Sequence, residues 1–403
     1  MGGATAASPI VEVTAALGPC LQFFARERRR INDRHLELCR IPAPTFQEKK
    51  RAEWIAGQLR TSGWEARHDR AGNVIASLSG AEAPRVALTA HLDTVLAPRG
   101  PEEILVAADG KFQGPGVSDN GAGLAALLAI ARAIQECQAS ECFPGLILVA
   151  NVGEEGEGNL CGMRYLCRSS GLGSKVRAFL VLDGPGTDHI TSRALASRRY
   201  EVLIAGPGGH SWSDYGVGNP VHALGRAIAL FSENVEARNG TARYSYNFGT
   251  LEGGPSVNSI PSTARAKLDL RSESTTRIDE LAELLSGSIE RAVEIENGRA
   301  SGGKVTARLR VIGARPTGQL PDDSRILSAL RAVDTQLGIR ARADCASTDA
   351  NVPLSLGIEA VSIGAGGTGG GAHTPSEWFH PGGRELGLKR ILLALALLAR
   401  DAG

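Results

Sequence analysis

The sequence predicts an α/β protein: a mostly parallel sheet covered on both faces, with a smaller ferredoxin-like βαββαβ sandwich inserted into it. Three observations carry this. Short apolar runs alternate with helical stretches up to about residue 195, as strands buried on both faces require. Six elements then follow in the order β-α-β-β-α-β. One of them, Ala264-Arg265-Ala266-Lys267-Leu268-Asp269-Leu270, alternates apolar and polar residues strictly, as a half-buried antiparallel strand does.

The first residues read as a flexible tail. Met1 to Leu17 has neither a basic n-region nor a long apolar core, so no signal peptide is expected. Helical patterns cover 20–39 and 46–62, separated by the breaker Ile41-Pro42-Ala43-Pro44. Strands are expected at 73–78, 85–90, 145–151 and 177–182, and helices at 121–136 and 160–169. In the inserted sandwich, strands fall at 198–205, 243–250, 263–271 and 304–312, and helices at 220–234 and 276–294. After Pro316 the pattern of the larger domain resumes, with a helix at 322–336, a strand at 358–363 and a closing helix at 383–401. A chain of 403 residues is too long for one core. It divides as 1–194 and 314–403 for the larger domain and 195–313 for the insertion.

A formal net charge of +1 argues against a broad basic surface for nucleic acid. No apolar run reaches the roughly 18 residues of a membrane span. Seven cysteines, none in a C-x-x-C pair, read as reduced thiols of a cytoplasmic protein.

Five short signatures carry the chemistry: Ala90-His91-Leu92-Asp93-Thr94, Ser118-Asp119-Asn120-Gly121, Gly153-Glu154-Glu155-Gly156, Leu182-Asp183-Gly184 and Ala372-His373-Thr374-Pro375. In an open α/β sheet, ligands gather beyond the carboxyl ends of the strands, and the signatures fall at such ends. Imidazole and carboxylate are zinc ligands, and a two-zinc hydrolytic site needs about four to six of them. His91, Asp119, Glu155, Asp183 and His373 supply five. Asp93 is placed to orient His91 by a hydrogen bond, and Glu154 is free to act as general base. Taken singly, each has a plainer reading: a core histidine, an N-cap acid, a solvated turn. Their joint occurrence at strand ends favours the metal site. His35, His68, His189, His222 and His380 fit no such pattern and read as structural. Gly364-Ala365-Gly366-Gly367-Thr368-Gly369 satisfies G-x-G-x-x-G, but it runs into His373 rather than into a helix. It reads as flexible backbone bordering a cleft.

These signatures, over roughly 30–400, resemble those of the dinuclear-zinc exopeptidase and amidohydrolase family. That family includes aminoacylase, acetylornithine deacetylase, succinyl-diaminopimelate desuccinylase, carnosinase, glutamate carboxypeptidase and tripeptidase T. Ser347-Thr348-Asp349-Ala350-Asn351 through His373 is most similar to the tripeptidase branch. The resemblance implies two zinc ions per subunit, with cobalt or manganese as substitutes. It implies His91 and Asp183 on one ion, Glu155 and His373 on the other, and Asp119 between them. Asp93 matches an orienting aspartate and Glu154 the general base. The insertion matches a lid and dimerisation domain. Gly208-Gly209-His210-Ser211 resembles a lid histidine that serves the partner subunit's active site. Asn258 and Arg271 match substrate contacts, the latter for a carboxylate. The implied function is metal-dependent exopeptidase action on small peptides, tripeptidase- or aminopeptidase-like. The alternatives are an N-acyl-amino-acid deacylase, a carboxypeptidase-like amidohydrolase and, more remotely, a non-catalytic binding protein. The implied partners are a small peptide or N-acyl amino acid and a second copy of the chain.

Overall fold

A computed structural model describes residues 8–78, 86–237 and 242–400. The chain forms two compact units, Met1–Ala194 with Gly318–Gly403, and Leu195–Thr317.

The first unit is built on a mixed sheet. Strands Val86–His91, Leu146–Asn151, Ala178–Leu182 and Glu359–Ile363 run parallel at its centre. Strand Val74–Ser77 joins antiparallel beside 146–151, and Glu65–His68 lies outside it. The central strands are apolar at nearly every position because both faces are covered; 146–151 and 178–182 are buried throughout. Helix Gly121–Glu136 and helix Arg384–Arg400 are buried over most of their length and share one hydrophobic core with these strands.

Two expectations change. Helix begins well before residue 20: helices Pro9–Ala16 and Gly18–Arg26 precede Arg28–Cys39, and Ile10, Val13 and Leu17 are buried in the core, while the tail expected of the first residues, over 1–7, lies outside the described residues. The helices' apolar spacing is short and interrupted by Gly18-Pro19, which hides the helical period. The glycine segment 364–369 is not free backbone either. Residues Thr368–Gly370 form a strand against Trp378–His380. A Cβ at Gly369 would lie 2.4 Å from Ser118 Oγ, and one at Gly387 2.4 Å from the Gly366 nitrogen. Glycine serves close packing here.

The second unit is an antiparallel sheet in the order Tyr244–Gly253, Thr263–Ser272, Ala196–Ala205, Thr306–Arg315. With helices Pro220–Ala237 and Thr275–Arg299 it is a ferredoxin-like sandwich. The alternation foreseen for 264–270 has its physical cause in that packing. Ala264, Ala266, Leu268 and Leu270 are buried in one core with Phe231 and Leu281 of the helices, and the charged residues between them face outward. Among the described residues, no helix is long and apolar enough to cross a membrane.

Candidate active site

All five signatures of the first unit converge. His91 ends the 86–91 strand and is buried. Its Nδ1 lies 3.0 Å from the Asp93 carbonyl oxygen, and 3.6 Å from Asp93 Oδ1. A carbonyl only accepts, so Nδ1 carries the hydrogen and donates. Nε2 is thereby aimed at Asp119 Oδ1, 3.1 Å away, and Asp183 Oδ1, 3.9 Å away.

Asp119 joins the two imidazoles. Its Oδ1 faces His91, and its Oδ2 lies 3.1 Å from His373 Nε2. His373 Nε2 also lies 2.8 Å from Glu155 Oε1. The ligand atoms of His91, Asp119 and Asp183 lie within 4.8 Å of one another, as do those of Asp119, Glu155 and His373. A further such group is His91, Glu154 and Glu155.

The carboxylates dominate the electrostatics. Burial opposes a charge on His91, but hydrogen bonds with Asp119, Asp183 and Asp93 carry its pKa well above the ordinary value. Hydrogen bonds with Asp119 and Glu155 push His373 up to about 10. Burial works to raise Asp119, yet the two histidines hold it well below the usual carboxylate range. The cluster thus attracts positive charge strongly. Its donors, imidazole nitrogen and carboxylate oxygen, are those zinc accepts.

The local sequence explains how the groups are held. Asp93 Oδ1 and Oδ2 accept the backbone N–H groups of Glu154 and Glu155, each at 2.9 Å, and Thr45 Oγ1 donates to Oδ2 at 3.0 Å. Asp93 therefore fixes the turn that presents both glutamates. Buried Arg51 donates to the Leu92 carbonyl at 2.9 Å and to that of Ile41 at 2.7 Å, clamping the residue between His91 and Asp93. Asn120 caps helix 121–136 through the Gly123 N–H at 3.1 Å, and its Nδ2 donates to the Leu182 carbonyl at 2.7 Å. That bond ties the Asp119 loop to the strand preceding Asp183. Gly121 has no room for a side chain: a Cβ would sit 2.5 Å from both Cys39 Sγ and the Gly116 carbonyl oxygen.

Several residues for which the sequence suggested no role support the cluster. Glu377 is buried and accepts three backbone N–H groups, from Gly116 at 2.8 Å and from Ser118 and Asp119 at 2.7 Å each. Burial raises its pKa despite these bonds. His35 Nε2 donates to the Val117 carbonyl at 2.7 Å, and its Nδ1 accepts from Arg384. Burial, and then Arg384, hold the His35 pKa well below its ordinary value, so the ring is a neutral brace. Asp349, beneath the cluster, accepts from Asn151 Nδ2 at 2.6 Å, and burial pushes its pKa up to about 7. An acid four residues beyond His373, where a strand begins, was the one available hint to Glu377.

The other three expected site residues belong to the second unit. His210 pairs with Ser259 in a two-residue ladder, beside Asn258, whose carbonyl accepts the Ser211 N–H at 3.0 Å. The His210 Nδ1 accepts from the Trp212 N–H at 3.2 Å, so its hydrogen is on Nε2. Both His210 and Asn258 are exposed. Arg271 lies on the outward face of the sheet, with its Nε donating to Asp269 Oδ2 at 2.7 Å.

The chain is similar to known proteins. The model of peptidase family M20/M25/M40 matches residues 87–399. A succinyl-diaminopimelate desuccinylase of Methylobacterium radiotolerans is 25% identical over 285 residues, covering 66% of this chain and 71% of that protein. A tripeptidase from Staphylococcus aureus superposes with a TM-score of 0.73 at 21% identity, over 93% of this chain and 99% of that one. Human carnosine dipeptidase 1 gives 0.72 at 14% identity, over 95% and 100%. At such identities the two structural likenesses speak for the fold alone. The family match spans most of the chain, and with it the chain belongs to peptidase family M20/M25/M40, a hydrolase acting as a metal-dependent peptidase or amidohydrolase.

Proposed function

We propose that this chain is a two-zinc exopeptidase that cleaves the peptide bond of small peptides, tripeptidase- or aminopeptidase-like. The observation that carries the proposal is the double engagement of Asp119, with one oxygen toward His91 and the other toward His373. In this reading His91 and Asp183 would hold one zinc ion and Glu155 and His373 the other, with Asp119 available to both. Cobalt or manganese could take the same donors. Bound metal would supply a Lewis acid for the scissile carbonyl and lower the pKa of a water.

The chain's own residues do the rest. The Glu154 carboxylate takes the proton of the attacking water and delivers it to the leaving amine. Asp93 holds the Glu154-Glu155 turn and the His91 ring in register. His210, with its hydrogen on Nε2, donates to the carbonyl oxygen as charge develops there. The lid residue is proposed to serve the partner's active site in a homodimer paired through the second unit. Asn258 and Arg271 are proposed to contact substrate, Arg271 at a carboxylate. For Arg271 that contact requires exchange of its Asp269 partner. Seven free cysteines support a reducing, cytoplasmic setting.

The relation to the desuccinylase favours a second reading, hydrolysis of an N-acyl amino acid. The two differ in whether the cleft seats a free α-amino group. The discriminating experiment is one substrate panel on the metal-loaded protein: free di- and tripeptides against acetyl- and succinyl-amino acids and N-blocked dipeptides. Cleavage of free tripeptides supports the first reading. Cleavage confined to blocked substrates supports the second and contradicts the first.

A further inference from the structure

The first unit contains a cavity of about 480 Å³ that shares no residue with the His91–Asp119–His373 cluster. It lies between the turn after strand Glu65–His68 and the loop after helix Cys161–Cys167. Arg67, Arg70, Arg168 and Lys175 line it, and none of the four has an ion-pair partner among the described residues. Elsewhere some cations of the chain are neutralised by an acid: Arg390 pairs with Asp334 at 2.6 Å, Arg277 with Glu280 at 2.8 Å and Arg198 with Asp279 at 2.8 Å.

The one acid in the lining, Asp69, is already committed. Its Oδ1 accepts the backbone N–H groups of Ala71, Gly72 and Asn73 at 2.8, 3.1 and 3.1 Å, and its Oδ2 accepts from Asn73 Nδ2 at 2.8 Å. It shapes the turn rather than serving the cations around it. Arg168 is held in place by stacking on the Tyr165 ring, with its guanidinium carbon 3.5 Å from the ring centroid.

Four cations around one concavity repel one another, and a concave wall focuses their field. Guanidinium forks match the oxygens of a phosphate, and lysine adds a point charge. The volume is in the range of a small-molecule site and well above that of a lone oxyanion. We propose that this cavity binds a small phosphorylated molecule, held through its phosphate oxygens by Arg67, Arg70, Arg168 and Lys175.

The test is calorimetric titration of the metal-loaded chain with inorganic phosphate and, separately, with glycerol phosphate. Three proteins are compared: wild type, Arg70→Gln/Arg168→Gln/Lys175→Gln, and His373→Ala, which reports any phosphate bound at the metals. The expected result is saturable binding that the triple substitution weakens at least about tenfold and that His373→Ala leaves in place. Tighter binding of the ester than of phosphate assigns the remaining volume to the organic part. The side chains are on the surface, and an unchanged melting temperature checks the fold; Lys175→Glu alone should weaken binding in the same direction. No saturable binding, or binding lost in His373→Ala and kept in the triple variant, overturns the proposal.

Discussion

The Asp119 backbone N–H donates to Glu377 Oε1 at 2.7 Å, so the proposed bridging ligand is held by a carboxylate only four residues from His373. Glu377 also accepts from Gly116 and Ser118, and the Thr374 carbonyl accepts its own N–H at 3.2 Å. One side chain thus docks the turn of His373 onto the loop of Asp119. Glu377→Gln places an amide NH₂ where one of these N–H groups needs an acceptor. It should lower metal affinity or turnover by roughly 10–100-fold, with Glu377→Ala worse. Metal affinity, measured by competition with a chelating dye, checks this independently of activity. An unchanged affinity in Glu377→Ala would remove Glu377 from the account.

Glu154 is buried beside His91 and Glu155, and its N–H is fixed by Asp93. Glu154→Gln keeps the shape and removes the base. Turnover should fall by at least about 100-fold while metal content stays at the wild-type value. Near-normal turnover in the metal-loaded variant would exclude the role.

Asp349 gives a pH prediction. Its folded-state pKa, about 7, lies above the ordinary 3.8, because burial penalises its charge. Its stabilising contribution is therefore full below the unfolded value and is lost as pH rises through about 7. Asp349 Oδ1 and Asn151 Oδ1 both lack hydrogen-bond partners among the described residues. Asp349→Asn removes the titrating group and offers an amide donor. In metal-free protein it should raise the melting temperature by about 5 °C at pH 8 and by little at pH 4. Equal changes at both pH values would contradict this assignment.

The proposed action of His210 on the partner's site has its own test. His210→Ala and Glu154→Ala should each be inactive. Mixed under conditions of subunit exchange, they should recover part of the activity, because one site in the heterodimer then has both groups. Exchange without recovery would refute action in trans, and a fully active monomer would refute the dimer.

Much of the first unit was legible in the sequence because strands buried on both faces are apolar without interruption. The chemistry at their ends stands out against that background. The Ala264–Leu270 alternation was legible for the complementary reason, one face packed and one wet. What was not legible depends on distant partners. The Glu377 clamp joins positions 258 residues apart. The brace formed by His35 and Arg384 looks in sequence like any helix histidine and any helix-start arginine. The glycine run 364–369 resembled slack, yet its lack of side chains is required by Ser118 and Gly387, which pack against 366–369.

The central claim is a two-metal centre organised by Asp119, and metal stoichiometry tests it most directly. The protein is stripped with chelator, reloaded with zinc, dialysed, and its metal content measured beside its hydrolytic activity. The expected result is two ions per chain, with activity lost on stripping and restored on reloading, and with Asp119→Ala losing both ions' tight binding together. Fewer than one ion per chain, or full activity in the stripped protein, would contradict the account.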